Sequence, residues 1–101
     1  MDKINPFSNH EEPNFIEIVT VHPCARTDLK TVAFVDIRDG HFRIKGLCVV
    51  LGINGPFATL PKRKSGAKWY EIVEVDEPRC SQIFKAVLAD QRVRELIEAK
   101  R

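Results

Sequence analysis

The chain has few of the residues on which metal sites, disulfide frameworks and membrane spans depend. Its 101 residues include three cysteines, Cys24, Cys48 and Cys80, and none of them shows the paired spacing of a zinc site. No apolar run approaches the roughly 20 residues that a membrane helix needs. Residues 1–10 lack the apolar core of a secretory signal. These absences predict a cytoplasmic protein with reduced thiols and no membrane segment.

Catalytic signatures are missing as well. The chain contains no Gly-rich phosphate loop, no His-Glu-x-x-His motif and no Gly-x-Ser-x-Gly elbow. His22, Pro23 and Cys24 form the one cluster of reactive side chains. A metal site there would need further ligands, and a Cys/His nucleophile would need a spatial adjacency that the sequence does not indicate. We therefore expect no enzyme activity, no metal and no cofactor.

Positive charge is concentrated rather than abundant. The formal net charge is +2, but residues 1–51 hold six Lys or Arg against seven Asp or Glu, and residues 52–101 hold ten against seven. Residues 62–68 carry four positive charges and no negative one, at Lys62, Arg63, Lys64 and Lys68. Because local placement sets the field that a polyanion meets, this basic loop is the candidate phosphate-binding surface. The alternative is a solvated turn whose cations only keep the protein soluble.

The pattern of apolar residues predicts a small α+β domain, with an antiparallel sheet of four to five strands and a C-terminal α-helix. The length allows one domain. Residues 1–14 are polar and contain two prolines, so we interpret them as a flexible N-terminal arm before a domain at 15–101. A β-branched run from Phe15 to Val21, ended by Pro23, predicts the first strand.

Asp39-Gly40 predicts the best-defined hairpin, because Asp-Gly suits a two-residue type I′ turn. The expected pairs are Arg38 with His41, Ile37 with Phe42, Asp36 with Arg43, Val35 with Ile44, and Phe34 near Lys45. The polar side of this hairpin, with Arg38, His41, Arg43 and Lys45, is expected to be solvated.

The second half of the chain predicts two more strands and a helix. Asn54-Gly55 marks a turn into a short strand, which should lie at a sheet edge because Pro56 lacks the amide proton of a ladder position. Trp69–Val75 is expected to form a fifth strand, with Trp69 packed under the helix and Tyr70 half-exposed. From about Arg79 to Ala99 an apolar stripe favours one helix, although its slip at residues 90–92 also allows two short helices.

Three segments carry a recognisable order of motifs. They are Val32-Ala33-Phe34-Val35-Asp36-Ile37, then Phe42-Arg43-Ile44-Lys45-Gly46-Leu47, then Asn54-Gly55-Pro56-Phe57-Ala58-Thr59-Leu60-Pro61 followed by a basic triplet. Over residues 15–97 the chain resembles the stage V sporulation protein G (SpoVG) family, and the third segment is the most specific. Two positions depart from the family pattern: Ile72-Val73-Glu74-Val75 stands where the family tends to show Ile-x-His-Pro, and Tyr70 stands where Arg is common.

The resemblance implies a small antiparallel sheet with a C-terminal helix, a homodimer, and binding of DNA and RNA in the bacterial cytoplasm. Family members regulate gene expression and, in spore formers, septation and sporulation. Lys62, Arg63 and Lys64 fall at the family's basic triplet, and Lys68 lies in the same loop.

The sequence therefore predicts a homodimeric nucleic-acid-binding regulator of gene expression. Lys62, Arg63, Lys64 and Lys68 would contact the backbone of DNA or RNA, with Arg92 and Arg94 as secondary contacts. The apolar strand Leu47–Leu51 and the apolar second half of the helix favour the dimer, because one small core cannot cover both. The main alternative is a protein-interaction adaptor that docks a partner chain on an edge strand or helix, and a small enzyme or enzyme subunit is another.

Overall fold

The computed structural model describes residues 15–101, and these residues have the predicted α+β fold. The predicted N-terminal arm, residues 1–14, lies outside the described residues. The strands are β1 (Ile16–Pro23), β2 (Thr31–Asp39), β3 (Phe42–Gly52), β4 (Gly55–Thr59), β5 (Lys62–Ser65) and β6 (Lys68–Glu71). The helices are α1 (Arg79–Ala89) and α2 (Gln91–Lys100).

Strands β1 to β4 form one antiparallel sheet in chain order, so β1 and β4 are its edges. The edge position of β4 confirms the prediction made from Pro56. Because successive side chains of a strand point to opposite faces, one face collects the fully buried residues of β2 and β3. The two helices cover that face, and the core consists of Val32, Ala33, Val35, Ile37, Leu47, Val49, Ala58, Ile83, Val87, Val93 and Ile97. We call the other face of this sheet the open face.

The turn between β2 and β3 differs from the predicted one by one residue. Asp39 pairs with Phe42, so the two loop residues are Gly40 and His41. A type I′ turn needs positive φ at both loop positions, whereas here only Gly40 has it, at 63°. The geometry fits a type II′ turn, which requires Gly at the first position alone.

This shift changes which side chains are buried near the turn. Ile37 faces Ile44, and Arg38 faces Arg43, so the predicted pair of Ile37 with Phe42 was wrong. Phe42 is left with 75% of its surface exposed. The sequence pattern allowed both registers, because Phe42 and Ile44 are both apolar and lie on the same side of the strand.

A β-bulge at Gly46 then changes the register again. One residue of β2, Asp36, stands opposite two residues of β3, so that Val35 faces Leu47 rather than the predicted Ile44. Gly46 has φ +87°, and its N–H donates a hydrogen bond to Asp36 Oδ1 at 3.0 Å. The predicted pairing of Asp36 with Arg43 was therefore wrong, because the Asp36 carboxylate stabilises the bulge instead.

The C-terminal segment forms two helices, and the favoured prediction of one helix was wrong. The chain leaves helical geometry at Asp90, where ψ is 135°. The Asp90 side chain caps α2 by accepting hydrogen bonds from the N–H groups of Arg92 and Val93, at 2.9 and 3.3 Å. Burial raises the pKa of Asp90, but the hydrogen bonds from Arg92 and Val93 outweigh burial and hold that pKa below its ordinary value.

Each helix is fixed to the sheet by a different kind of contact. At the start of α1, Arg79 Nε donates to Asp39 Oδ2 at 2.8 Å and Arg79 Nη2 donates to Asp39 Oδ1, which joins the helix to the β2–β3 turn. In α2, Val93 and Ile97 are buried in the core. The apolar second half of the helical segment is thus covered within the chain, which removes one of the two grounds for a dimer.

Candidate nucleic-acid interface

The predicted basic loop is a β-hairpin. Strands β5 and β6 pair around a two-residue turn at Gly66 and Ala67, and Gly66 supplies the positive φ, 64°, that such a turn needs. The predicted loop at residues 62–68 was therefore wrong, because its first four residues are themselves a strand. The predicted strand Trp69–Val75 begins one residue earlier and ends at Glu71. All residues of both strands are exposed.

Each face of this hairpin carries two cations and one aromatic ring. Residues paired directly across an antiparallel ladder point to the same face. The pairs are Lys62 with Glu71, Arg63 with Tyr70, Lys64 with Trp69, and Ser65 with Lys68. The Trp69 face therefore holds Lys62, Lys64, Trp69 and Glu71, and the Tyr70 face holds Arg63, Ser65, Lys68 and Tyr70.

The charges of the hairpin cations are not neutralised by ion pairs. Among residues 15–101, none of the four cations forms an ion pair with a carboxylate, and Glu71 is the one acidic residue of the hairpin. Elsewhere cations do have acidic partners: Arg26 with Asp28, Arg79 with Asp39, Arg92 with Asp90, and Arg101 with Glu98. The hairpin is thus a site where positive charge faces solvent.

Trp69 is on the surface, so the prediction that it packs under the helix was wrong. Its side chain is 63% exposed, and the Lys64 ammonium lies 5.8 Å from the centre of its ring, within cation–π range. Tyr70 is half-exposed, as predicted. The reason is that β5 and β6 form a separate ribbon, whereas the helices cover the four-stranded sheet.

A groove of about 440 Å³ lies between the Trp69 face of the hairpin and the open face of the sheet. From the sheet it is lined by Phe34, Cys48 and Thr59, which are paired side by side across β2, β3 and β4. From the hairpin it is lined by Lys62 and Trp69, and none of its lining residues is acidic. Its size is in the range of roughly 300–1,000 Å³ that ligand sites occupy.

Sequence reasoning did not find this groove. Phe34 was expected near Lys45 on a solvated face, but the bulge at Gly46 places it opposite Cys48, and it stays 41% exposed. The available signal was the alternation of β2, in which Phe34 is out of phase with Val35 and Ile37. An aromatic side chain on the polar face of an amphipathic strand is a candidate for ligand contact.

The predicted secondary contacts, Arg92 and Arg94, lie on a different element from the hairpin. Arg92 Nη2 donates to the backbone oxygen of Ile18 at 2.9 Å and also contacts Asp90. This places the start of α2 beside β1, the sheet edge opposite to β4, after which the hairpin begins. Arg94 is exposed on α2, in a surface depression lined also by Glu95 and Glu98. The structure therefore groups four of the six predicted residues and leaves these two apart.

The cysteine and histidine side chains do not converge on a site. Within residues 15–101, no group of three His, Cys, Asp or Glu side chains could hold a metal ion. Burial raises the pKa of the Cys48 thiol, which opposes formation of a thiolate. His22 Nε2 lies 3.5 Å from Asp36 Oδ2, on the open face. Arg38, His41, Arg43 and Lys45 are all exposed, as predicted.

Comparisons with protein-family models, curated proteins and solved structures found no match to this chain. The likeness to the stage V sporulation protein G family is therefore carried by the motifs quoted above alone. Neither helix of the described part of the chain is long and apolar enough to cross a membrane.

Proposed function

We propose that this protein binds nucleic acid through its β5–β6 hairpin and regulates gene expression, as the resemblance to the SpoVG family implies. Lys62, Arg63, Lys64 and Lys68 contact the phosphate backbone of DNA or RNA. The proposed location is the cytoplasm, and a role in septation or sporulation is part of the same proposal. It assigns no enzymatic activity and no cofactor to the chain.

The observation that supports this proposal best is the exposure of four cations on a two-sided ribbon. Cations that already have acidic partners gain little from a phosphate, whereas those of the hairpin form no ion pair among residues 15–101. Phosphate contacts of this kind release condensed counterions and make affinity fall with salt. A two-stranded ribbon also has dimensions that the major groove of DNA can admit.

The direct test is the affinity for labelled DNA and RNA oligonucleotides, measured by fluorescence anisotropy at low ionic strength. A variant with Lys62→Gln, Arg63→Gln, Lys64→Gln and Lys68→Gln should lose binding to every sequence. The matched control removes the same charge at exposed positions outside the hairpin, by Arg38→Gln, Arg43→Gln, Lys45→Gln and Lys85→Gln. Equal loss in both variants, or no binding by the unaltered protein, would reject the proposal.

The alternative of a protein-interaction adaptor has one observation in its favour, the exposed aromatic rings of Phe34 and Phe57 on the open face. An adaptor would bind oligonucleotides weakly, and the four hairpin substitutions would leave its partner binding unchanged. The same pair of charge variants therefore separates the two functions.

A homodimer is also part of the proposal. It is supported by Phe42, whose exposed ring borders a cleft of about 430 Å³ with Ile44, Val73 and Val75. Exposed apolar side chains around a cleft are typical of contacts between copies of a chain. Sedimentation velocity should report a dimer, and Phe42→Ser should shift it toward monomer. A monomeric mass for the unaltered protein at micromolar concentration would reject this part of the proposal.

A further inference from the structure

The groove beside the hairpin combines aromatic rings with positive charge. Trp69 lines it from the hairpin and Phe34 from the sheet, and both rings are exposed to solvent. Lys62 lines the same groove, and Lys64 lies against the Trp69 ring. A ligand that satisfies all of these groups must offer flat apolar surfaces and negative charge close together.

An unpaired stretch of nucleic acid offers both. In a duplex the faces of the bases stack on each other, so that a protein on its outside meets phosphates, sugars and base edges. In a single strand the base faces are accessible beside the phosphates, and they stack on aromatic side chains. We propose that the groove binds single-stranded DNA or RNA, with bases stacked on Trp69 and Phe34 and phosphates at Lys62 and Lys64.

This inference rests on the proposed function and narrows its ligand to unpaired segments. The remaining lining of the groove suits nucleobases. Thr31 and Thr59 place hydroxyl groups there, which can donate to or accept from base edges, and no carboxylate lines the groove to repel phosphate. Asp36 lies on the same sheet face, but its carboxylate accepts a hydrogen bond from Gly46 and has His22 within 3.5 Å.

Charge favours this ligand over a second copy of the chain. In a two-fold symmetric contact the same patch of both copies meets. A contact centred on this groove would bring Lys62 and Lys64 of one copy toward the same residues of the other. Repulsion between like charges opposes that arrangement, whereas the phosphates of a single strand are attracted to it.

Trp69 provides an internal probe, because it is the one tryptophan of the chain. The probe ligand is an oligothymidylate of about ten nucleotides, within the range of site sizes of single-strand binding folds. We expect it to quench Trp69 fluorescence in a saturable manner. A duplex formed from the same oligothymidylate and its complement should quench Trp69 much less at equal phosphate concentration.

Two substitutions test the rings, each with a matched control. Trp69→Leu and Phe34→Thr should each weaken oligothymidylate binding, measured by anisotropy, about 5- to 150-fold, which is the range for losing one stacked base. Tyr70→Leu is the control for Trp69, since Tyr70 is adjacent on β6 but points to the other face. Phe42→Thr is the control for Phe34, since Phe42 is an exposed ring at the β2–β3 turn, away from the groove. Circular dichroism verifies the fold of each variant.

The outcomes distinguish this inference from the proposed function. If Trp69→Leu and Phe34→Thr bind as the unaltered protein does, while the four-cation hairpin variant loses binding, the hairpin contacts phosphates and the stacking groove is rejected. Equal quenching by duplex and single strand would also reject it. So would a Phe34→Thr variant that changes the oligomeric mass while the oligothymidylate leaves Trp69 unquenched, because the groove would then be a contact between copies. Absence of all binding at low salt would reject the proposed function itself.

Discussion

The salt dependence of binding gives a quantitative test of the hairpin's role. Each phosphate contact contributes about 0.7 to the slope of log affinity against log salt on single strands, and about 0.9 on duplex DNA. If all four cations of the hairpin contact phosphates, the slope on a single strand is about −2.8 per protomer. Raising the salt from about 50 to 200 mM would then weaken binding by about 50-fold.

The arrangement of the hairpin allows the four contacts to be removed in two pairs. Lys62→Gln with Lys64→Gln clears the Trp69 face of cations, and Arg63→Gln with Lys68→Gln clears the Tyr70 face. Each double variant should lose about 1.4 from the slope, so that the same change of salt weakens binding by only about 7-fold. Unequal losses would show which face the strand follows, and binding in the groove predicts the larger loss for Lys62 and Lys64.

Anisotropy titrations over a series of salt concentrations measure these slopes without reference to any target sequence. The matched control is Arg38→Gln with Arg43→Gln, an exposed cation pair on the β2–β3 hairpin. It should keep the slope of the unaltered protein. A slope that stays unchanged in both hairpin double variants, or that falls as much in the control, would refute the role of the hairpin.

Three further predictions concern the scaffold that holds the hairpin, each read from urea unfolding. Asp90→Ala should lower the free energy of unfolding by about 1 kcal/mol, because α2 loses its N-cap. Since the folded-state pKa of Asp90 is lowered, this contribution is present above its unfolded pKa of about 3.9 and is lost as the pH falls through the folded value, so the difference from the unaltered protein should vanish in acid. Asp39→Asn should cost on the order of 1–2 kcal/mol by weakening the paired hydrogen bonds from Arg79, which are only partly exposed to solvent. Gly46→Ala should cost about 1–2 kcal/mol, because its backbone has φ +87°, whereas no cost in any of the three would contradict the corresponding local account.

The sequence was sufficient to predict the elements that depend on local pattern. The β-branched run of β1, the turn near Asn54-Gly55 and the edge position of β4 follow from propensity and from Pro56. The register of β2 and β3 does not, because Phe42 and Ile44 fit the core face equally well. Only the bulge at Gly46, which Asp36 stabilises across the ladder, decides which side chains meet.

The candidate site was predictable in composition and not in geometry. The charge pattern alone singled out Lys62, Arg63, Lys64 and Lys68, and the structure groups them on one ribbon. The orientation of Trp69 was not predictable, since a large ring beside a strand is more often buried than exposed and only the fold shows that no helix covers it. The groove with Phe34 depends on a register that a bulge sets, so no local pattern encodes it.

The most direct test of the central claim is an amide chemical-shift titration of the ¹⁵N-labelled protein with oligothymidylate at low ionic strength. The account predicts that the largest shift changes fall on the amides of residues 62–71 and on those of Phe34 and Cys48 beside them. The helices α1 and α2 should change little. Changes confined to the helices, or none at saturating oligonucleotide, would contradict the account.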